Sequence, residues 1–460
     1  MPDLAFKSAP KKRKGVKKRN FVTNFTLFWR EMINMRKKPK FFALFCLPIC
    51  LFCFPGSQAR KGSWDERVEG IVQKITPRLV AIRRDLHAHP ELSFQEKRTS
   101  GIVAAYFQQL GLEVRTGIAG TGVLGILRGE KKGPVLAMRG DMDALPITEQ
   151  TGLPFSSQEK TVFNGQEVGI MHACGHDIHT TILLGVAHVL SELKSELKGT
   201  VLLVAQPAEE YGDGASEMLK AGLFKDLKPE AMFAFHVEDT AKVGIIKYAP
   251  EYAAANVDGF DLVIESEGGH GSDPDSCVDP IVVAAQIVTA LQVMVSREID
   301  VHDDTVITVG SFHAGTARNI IPEKAELKAT VRTYGEQHRL NVKEKIERVI
   351  KNVCAAAQAS YKLDYFIGTP SLRNDPQLMK RILPTVERIL GGRQFVQEDK
   401  PSMGGEDFSY FAREIPSVML WLGVVPESVE KTSVHSPTFI ADEKSIPLGV
   451  KVMSAIILDY

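Results

Sequence analysis

A short stretch from Met171 to Thr180 concentrates residue types that bind metal ions, with three histidines, one cysteine and one aspartate. Cys174 and His176 are good ligands for a borderline-soft divalent metal. With one residue between them in an extended loop, both side chains can point to the same side. Such a pair alone is weak evidence, because a buried cysteine beside a satisfied histidine is more common. A metal site therefore requires further ligands elsewhere in the chain.

Four predicted strands each lead into acidic or histidine side chains. The strands are Val135–Arg139, Val201–Ala205, Ala231–Phe235 and Val418–Leu422. The stretches that follow them are Gly140–Pro146, Gln206–Glu210, His236 and, in the loop beyond the fourth strand, His435–Pro437. Strands that alternate with helices predict an α/β fold with a mainly parallel sheet, in which ligands bind outside the carboxyl ends of the strands. This repetition favours the metal site over the structural interpretation of Cys174 and His176.

Five side chains make a plausible set for two metal ions. They are Cys174, His176, Glu210, His236 and His435. A thiolate can bridge two cations, which leaves two further ligands for each cation. Two metals about 3.5–4 Å apart can share one water and lower its pKa toward about 7, which gives hydroxide at neutral pH. A carboxylate that does not bind metal must then accept the proton, and Glu209, beside Glu210 on an extended loop, can face the other way.

The pattern of elements changes between residues 254 and 368. The predicted elements there are the strand Phe260–Glu265, the helix Ile281–Val295, the strands Thr305–Phe312 and Glu326–Arg332, the helix Gln337–Gln358 and the strand Lys362–Phe366. This β-α-β-β-α-β order is the ferredoxin-like arrangement. We therefore predict a discontinuous catalytic domain, residues 64–253 and 369–460, with an inserted α+β domain of residues 254–368.

These residues carry a resemblance that covers the chain from about residue 66 to 455. The motifs are Arg84–Glu91, Met138–Pro146, His172–His179, Gln206–Glu210, His236, Gly268–His270, Gly315–Pro322, Gly405–Phe408 and His435–Pro437, in this order. They resemble the two-metal aminoacylase and carboxypeptidase family, in the amidohydrolase subgroup that contains hippurate hydrolases and plant auxin-conjugate hydrolases. The fold that this implies is a dimetal hydrolase domain with an inserted lid, through which subunits dimerise.

The resemblance also implies roles for individual residues. The metal ligands would be Cys174, His176, Glu210, His236 and His435. Glu209 would be the general base, and Asp143 would support the metal centre from behind the ligands. His87, His89, His172 and His179 lie in matching motifs and are interpreted as structural or supporting residues. No role follows for Glu406 and Asp407.

His270 lies in a Gly-Gly-His-Gly loop of the inserted domain. Its flanking glycines allow a close backbone approach. The oxyanion that forms during hydrolysis needs a donor that the ligands and Glu209 do not supply. The resemblance implies that His270 reaches the active site from the lid of the partner subunit, and Asn319 is a second candidate for binding the substrate there. In place of the subgroup's usual residues the lid has Asp275 after Pro274, and Gly271, which bears on substrate choice.

The residues and the resemblance are compatible with three functions. The first is a metal-dependent amidohydrolase that cleaves N-acyl amino acids or similar small conjugates, with two Mn(II) or Zn(II) ions per subunit. The second is a related dipeptidase or carboxypeptidase. The third is a catalytically silent dimeric binding protein, which is disfavoured because none of the five ligands or the base is missing.

The overall composition is that of an ordinary protein with 44% hydrophobic and 24% charged residues. The 56 basic and 56 acidic residues are unevenly distributed, because residues 1–40 contain 13 of the former and 2 of the latter. The acidic remainder argues against a nucleic-acid-binding enzyme. Three cysteines lie in the N-terminal apolar run and three are scattered over the body, which is not a disulfide framework.

The sequence of residues 1–59 predicts a basic leader followed by a secretory signal. A basic run after Met35 precedes the apolar segment Phe41–Phe54, and Ser57–Ala59 has the small residues of a cleavage site. We therefore predict export to the periplasm or cell exterior, with translation starting at Met35 or with an unusually long leader. The alternative is an uncleaved membrane anchor.

Overall fold

The computed structural model describes residues 64–391 and 394–460. The predicted leader, the start at Met35, the signal segment and the alternative membrane anchor lie outside the described residues, so they stay predictions.

The described helices and strands alternate through most of the chain. The helices are α1 (Asp65–Ala88), α2 (Lys97–Gln109), α3 (His176–Glu192), α4 (Gly214–Lys220), α5 (Pro280–Glu298), α6 (Glu336–Ala356), α7 (Pro376–Leu390), α8 (Phe408–Glu414) and α9 (Ser445–Asp459). The strands are β1 (Glu113–Ile118), β2 (Gly122–Arg128), β3 (Lys131–Asp141), β4 (Lys160–Phe163), β5 (Gln166–Gly169), β6 (Lys198–Gln206), β7 (Ala231–Lys242), β8 (Ile246–Tyr248), β9 (Tyr252–Ala254), β10 (Asn256–Glu265), β11 (Gly269–His270), β12 (Thr305–Ala314), β13 (Ile320–Ile321), β14 (Lys324–Thr333), β15 (Ser360–Ile367), β16 (Leu372–Arg373), β17 (Phe395–Gln397) and β18 (Ser417–Val425).

The larger sheet of the described chain has the strand order β1-β2-β6-β3-β7-β18-β8-β17. Its central strands β6, β3, β7 and β18 run parallel to one another, while β2 and β8 pair antiparallel with the outer two of them. β18 is buried along its whole length, as expected for a parallel strand with both faces covered. The fold is thus the predicted α/β fold with a mainly parallel sheet.

Apolar cores lie on both faces of this sheet. Phe233 and Phe235 of β7 belong to the core that includes residues of α1, α3 and α9. Their neighbours Met232 and Ala234 belong to the opposite core, which includes residues of α4 and α8. This alternation follows from the two-residue period of a strand. Full burial of one large apolar side chain contributes about 1.5–3 kcal/mol, so these two cores hold the strand ends in place.

A separate antiparallel sheet has the order β12-β14-β10-β15. Helices α5 and α6 contribute to its apolar core, so the chain order is the predicted β-α-β-β-α-β. By length and composition α5 could also cross a membrane, but Ile287 and Leu291 are buried in this core. The exact bounds of the inserted domain, residues 254–368, stay a prediction.

The two connections between the sheets are tied to each other. The amide of Val257 donates to the carbonyl of Thr369 at 2.8 Å. The buried carboxylate of Asp258 accepts hydrogen bonds from the amide of Gly368 at 3.1 Å and from the guanidinium of Arg339. A side chain at position 368 would lie 2.3 Å from the carbonyl oxygen of Val257, so only glycine fits. These contacts set the position of the second sheet next to the site described below.

Candidate metal centre

Cys174 and His176 lie where a loop enters α3. The helix begins at His176, and Gly175 caps it with φ 76°, a left-handed conformation that favours glycine. A Cβ atom on Gly175 would lie 2.8 Å from Cγ1 of Val237. Glycine therefore lets this loop approach β7, and it brings Cys174 close to His236.

Two further predicted ligands, His236 and His435, each lie in an unexpected local backbone structure. β7 was expected to end at Phe235, but it continues to Lys242 because it stays paired with β18. His236 therefore lies within a strand, not after its end. His435 lies in the loop after β18 with φ 58°, and its amide donates to the carbonyl of Ala173 at 2.8 Å. A residue other than glycine is strained at positive φ. Such strain is common at functional sites, where the surrounding structure fixes the direction of a side chain.

The five predicted ligands form two groups that share Cys174. Their ligand atoms lie within 4.8 Å of one another in the group Cys174, His176 and His236 and in the group Cys174, Glu210 and His435. The Cys174 Sγ–His236 Nε2 distance is 3.4 Å, and the Glu210 Oε1–His435 Nε2 distance is also 3.4 Å. Cys174 is common to both groups, which is the position that the predicted bridging ligand would need.

The outer nitrogens of two histidines are occupied, so their Nε2 atoms face the cluster. Nδ1 of His176 donates to the carbonyl of Asp143 at 2.9 Å, and Nδ1 of His236 donates to the carbonyl of Val237 at 2.7 Å. Nε2 of His176 and Oε1 of Glu210 are buried and have no hydrogen-bond partner. Buried polar atoms without partners are rare and need an explanation. Metal binding supplies one, and the mixture of thiolate, imidazole and carboxylate fits borderline divalent cations.

The protonation of His236 and of Asp143 fits the same interpretation. Burial lowers the pKa of His236 to about 4, against the raising effect of Asp141. The imidazole is therefore neutral at pH 7, which is the form that binds a metal. Burial raises the pKa of Asp143, but hydrogen bonds from His176, Ser93 and the amide of Glu210 outweigh it, and the net pKa is lowered. Asp143 is therefore an anion behind the ligand His176.

Asp143 also orients the acidic pair. Its Oδ1 accepts the amide of Glu209 at 3.1 Å, and its Oδ2 accepts the amide of Glu210 at 3.0 Å and the hydroxyl of Ser93 at 2.6 Å. One buried carboxylate therefore contacts a ligand on α3 and the loop after β6. These contacts fix the position of His176 on α3 relative to Glu209 and Glu210 in the loop after β6.

Glu209 lies beside the metal-binding groups in a strongly acidic environment. Burial, and then the negative charges of Glu406 and Glu210, raise the pKa of Glu209 well above its usual value. Its Oε1 accepts a long hydrogen bond of 3.4 Å from the amide of Asp407. A carboxylate with a raised pKa next to a metal-binding group is suited to accept and return a proton.

Asp141, near the predicted ligands, was not assigned a role from the sequence, whereas its partner His179 was predicted to be a structural or supporting residue. Oδ1 of Asp141 accepts from Nδ1 of His179 at 2.7 Å, and Oδ2 lies 3.6 Å from Nε2 of His176. His179 Nε2 in turn accepts the amide of Val237 at 2.8 Å, so both its ring nitrogens are occupied. Asp141 lies in the motif Met138–Pro146, two residues beyond the predicted strand Val135–Arg139, so its place after that strand was the available signal.

The remaining motif histidines lie away from the ligand atoms. His87 is buried and donates to Asp177 at 2.8 Å, with Glu149 at 3.2 Å from its other nitrogen. His89 contacts the carbonyl of Asp85 near the surface, and His172 is buried. None of the three is in a metal-binding group of the described residues.

A cavity of about 430 Å³ opens next to the ligands. The residues from both sheets that surround it include Glu209, Tyr211, Val257, Arg332, Thr369 and Trp421. Arg332 of β14 is its only lysine or arginine among the described residues, and the sequence pattern, which showed only a strand there, did not indicate it.

His270 and Asn319 are not brought to this cavity within one chain. His270 pairs with Ile320 in the small β11–β13 ladder, and directly beyond the ladder the amide of Gly271 donates to the carbonyl of Asn319 at 2.8 Å. His270 is exposed, and its Nδ1 contacts the hydroxyl of Ser272 at 2.7 Å. Neither is among the described residues that line the cavity.

A mainly parallel sheet brings together two groups of residues that could hold cations and that share Cys174, with the carboxylate of Glu209 beside them, and this arrangement is that of a metal-dependent hydrolase. The chain belongs to peptidase family M20/M25/M40, which matches residues 137–459.

Similar proteins include two curated relatives and one solved structure. The chain is 38% identical over 373 residues to an N-acetylcysteine deacetylase of Bacillus subtilis, covering 81% of this chain and 94% of the relative. It is 34% identical over 391 residues to thermostable carboxypeptidase 1 of Saccharolobus solfataricus, covering 84% and 95%. The crystal structure of the Bacillus subtilis YXEP protein, described as a dinuclear metal-binding peptidase of the M20 family, is 34% identical with a TM-score of 0.72, covering 84% and 98%.

Proposed function

We propose that the protein is a metal-dependent amidohydrolase that cleaves the amide bond of N-acyl amino acids or similar small conjugates. The observation that carries the proposal is the position of Glu209, which lies beside two ligand groups that share Cys174 and faces the cavity. The names of the relatives, a deacetylase and a carboxypeptidase, support hydrolysis of an amide.

The cofactors that we propose are two Mn(II) or Zn(II) ions per subunit, held by Cys174, His176 and His236 on one side and by Cys174, Glu210 and His435 on the other. When bound, such ions supply Lewis-acid polarisation of the amide carbonyl and lower the pKa of water. Glu209 accepts the proton of the attacking water and returns it to the nitrogen of the leaving amine.

Arg332 is the residue that would select the substrate. Its guanidinium is half-buried in the cavity, and burial lowers the pKa of Arg332. Because the usual pKa of an arginine is far above 7, the guanidinium stays charged at neutral pH. A guanidinium binds a carboxylate with two parallel hydrogen bonds. We therefore infer that substrates carry a free carboxylate on the amine-derived half of the molecule.

The second candidate is a carboxypeptidase or dipeptidase, and the same Arg332 would bind the carboxylate of a peptide. One panel separates the candidates: N-acetyl and N-benzoyl amino acids, dipeptides, and N-acyl amino acid amides that lack the carboxylate. We expect the acyl amino acids to be cleaved fastest and the amides poorly. Faster cleavage of dipeptides would establish the second candidate.

The metal identity is tested with the same substrates. Protein stripped of metal is reconstituted with Mn(II) and with Zn(II) in turn, and activity is measured with the bound metal counted. We expect no activity without metal and full activity near two ions per chain. Activity that survives complete metal removal would refute the assignment of the site.

We propose a homodimer that forms through the inserted domain, and the exposed surface of α5 supports this proposal. Val282 and Val293 are 50% and 51% exposed although the opposite side of the helix is buried in the core of the second sheet. A contiguous exposed apolar surface commonly marks a protein interface. We expect a dimer in light scattering, and we expect Val282→Glu with Val293→Glu to give a monomer. A wild-type monomer would refute this part of the proposal.

Export is proposed on residues 1–59 alone. The order of a basic run, the apolar segment Phe41–Phe54 and the small residues at Ser57–Ala59 supports a cleaved signal. N-terminal sequencing of the mature protein should give a terminus after Ala59. A terminus upstream of Met35 would refute both cleavage and the internal start.

A further inference from the structure

Glu406 and Asp407 belong to a buried polar cluster beside Glu209 that the proposed reaction does not use. Arg139 of β3 is at the centre of the cluster, and its side chain is 1% exposed. Its Nη2 donates to Oε1 of Glu406 at 2.9 Å and lies 3.2 Å from Oδ1 of Asp407, and its Nε donates to Gln206 at 2.9 Å. One buried cation therefore holds the two adjacent acids that precede α8.

The turn formed by residues 406–408 is fixed from several sides. Oε1 of Glu406 also accepts the amide of Phe408 at 2.9 Å. Asp407 accepts from the side-chain amide of Gln206 at 2.7 Å and from the backbone amide of Ala215 at 2.9 Å. The partners come from β3, from the end of β6 and from α4, so the backbone of this turn has little freedom to move.

This turn presents a backbone donor to the general base. The amide of Asp407 donates to Oε1 of Glu209 at 3.4 Å, and within residues 64–391 and 394–460 this is the one hydrogen bond that the Glu209 carboxylate accepts. Carboxylate oxygens of Glu209, Glu406 and Asp407 lie within 4.8 Å of one another. The orientation of Glu209 therefore depends on the position of the turn, since one donor attracts its carboxylate and two acids repel it.

We propose that Glu406 is a positioning residue for Glu209. By anchoring the turn to Arg139 and to the amide of Phe408, Glu406 holds the Asp407 amide where it orients the base toward the proton that must be accepted. The inference rests on the proposed function, because it takes Glu209 as the base. Misplacement of a catalytic group by about 1 Å costs on the order of 100-fold in rate. Glu406→Ala should therefore lower kcat about 100-fold while KM changes little.

A double-mutant cycle distinguishes positioning from a general structural role. Turnover is measured for the wild type, Glu406→Ala, Glu209→Gln and the double variant, each loaded with Mn(II) and with bound metal counted. If Glu406 acts through Glu209, Glu406→Ala should change kcat by no more than about twofold in the Glu209→Gln background. If Glu406 acts independently, the full loss should recur in that background, which would overturn the proposal.

Two further variants control the experiment. Glu406→Gln keeps an oxygen acceptor for the Phe408 amide and Arg139, so it should restore most of kcat, and a loss as large as that of Glu406→Ala would also overturn the proposal. Glu414→Ala removes an exposed glutamate from α8, the helix that follows this turn, and should leave kcat unchanged. If Glu406→Ala does not fold, the cycle is run with Glu406→Asp, whose shorter side chain cannot reach both partners.

The substrate for the cycle is the one that the wild type cleaves fastest in the panel above. A wild type that cleaves none of the panel would refute the proposed function. An active wild type whose Glu406 effect multiplies with that of Glu209→Gln would refute the positioning role alone.

Discussion

Glu209 and Glu210 are adjacent in the chain, yet their carboxylates contact different parts of the site. Oε1 of Glu210 lies 3.4 Å from Nε2 of the predicted ligand His435, whereas Oε1 of Glu209 lies 3.4 Å from the amide of Asp407. The preceding residue, Ala208, has φ 54°, and its amide donates to the buried carboxylate of Glu96 at 2.9 Å. The backbone before the pair is therefore held in a strained conformation, and the two side chains that follow it contact different partners.

The different positions of the two carboxylates predict different losses. Glu209→Gln should retain two metal ions and lose about 100- to 10,000-fold in turnover, because the proton acceptor is gone. Glu210→Gln should instead lower metal occupancy. Metal content by atomic spectroscopy and turnover at saturating substrate measure the two effects. If Glu209→Gln strips the metal and Glu210→Gln does not, the two roles are reversed.

Complementation between inactive subunits tests His270. Because this residue lies outside the cavity of its own chain, we expect His270→Ala and Glu209→Gln to be inactive alone and to recover activity when mixed. In a mixed dimer with composite sites, one of the two sites receives both intact residues. Turnover after subunit exchange is the measurement. An absence of recovery after proven exchange would mean that His270 acts within its own chain or has no part in the reaction.

The pair of Asp258 and Arg339 at the connections between the sheets should be important for stability. The exposed fractions of their side chains are 1% and 2%. Arg339→Met leaves a buried carboxylate without its partner, and this typically costs about 3–5 kcal/mol in the free energy of unfolding. Urea unfolding of metal-free protein measures the loss. Arg339→Met combined with Asp258→Leu should recover part of it, and equal losses in both variants would show that the charge pair is not the cause.

His87 should give a pH-dependent contribution to stability. Burial lowers its pKa, but hydrogen bonds to Asp177 and Glu149 outweigh burial, and the net pKa is raised. A group whose pKa is raised in the folded state contributes fully below its unfolded pKa of about 6.5, and the contribution is lost as pH rises through the folded pKa. His87→Gln should therefore destabilise metal-free protein more at about pH 5.5 than at about pH 9. Urea unfolding at both pH values measures this, and an equal loss would contradict it.

The sequence by itself determined the order of the elements and the types of the ligands. The helix predicted over Gln337–Gln358 corresponds to α6, Glu336–Ala356, and the strand predicted at Val418–Leu422 corresponds to β18. Side chains placed just after parallel strands gather at one edge of the sheet by the geometry of that fold. For this reason Cys174, Glu210 and His435 could be grouped although they are far apart in the chain.

Only the tertiary structure decided which distant groups face each other. Strand pairing carried β7 past His236, and the contacts of Arg139 with Glu406 and Asp407 join residues more than 260 positions apart. Arg332 is in the cavity because the second sheet is tied to the first at Asp258. Local periodicity shows which side of a helix or strand is buried, but it does not show which other element packs against that side. That choice follows from packing and charge pairing between elements distant in sequence, and these determine which residues surround the predicted base Glu209.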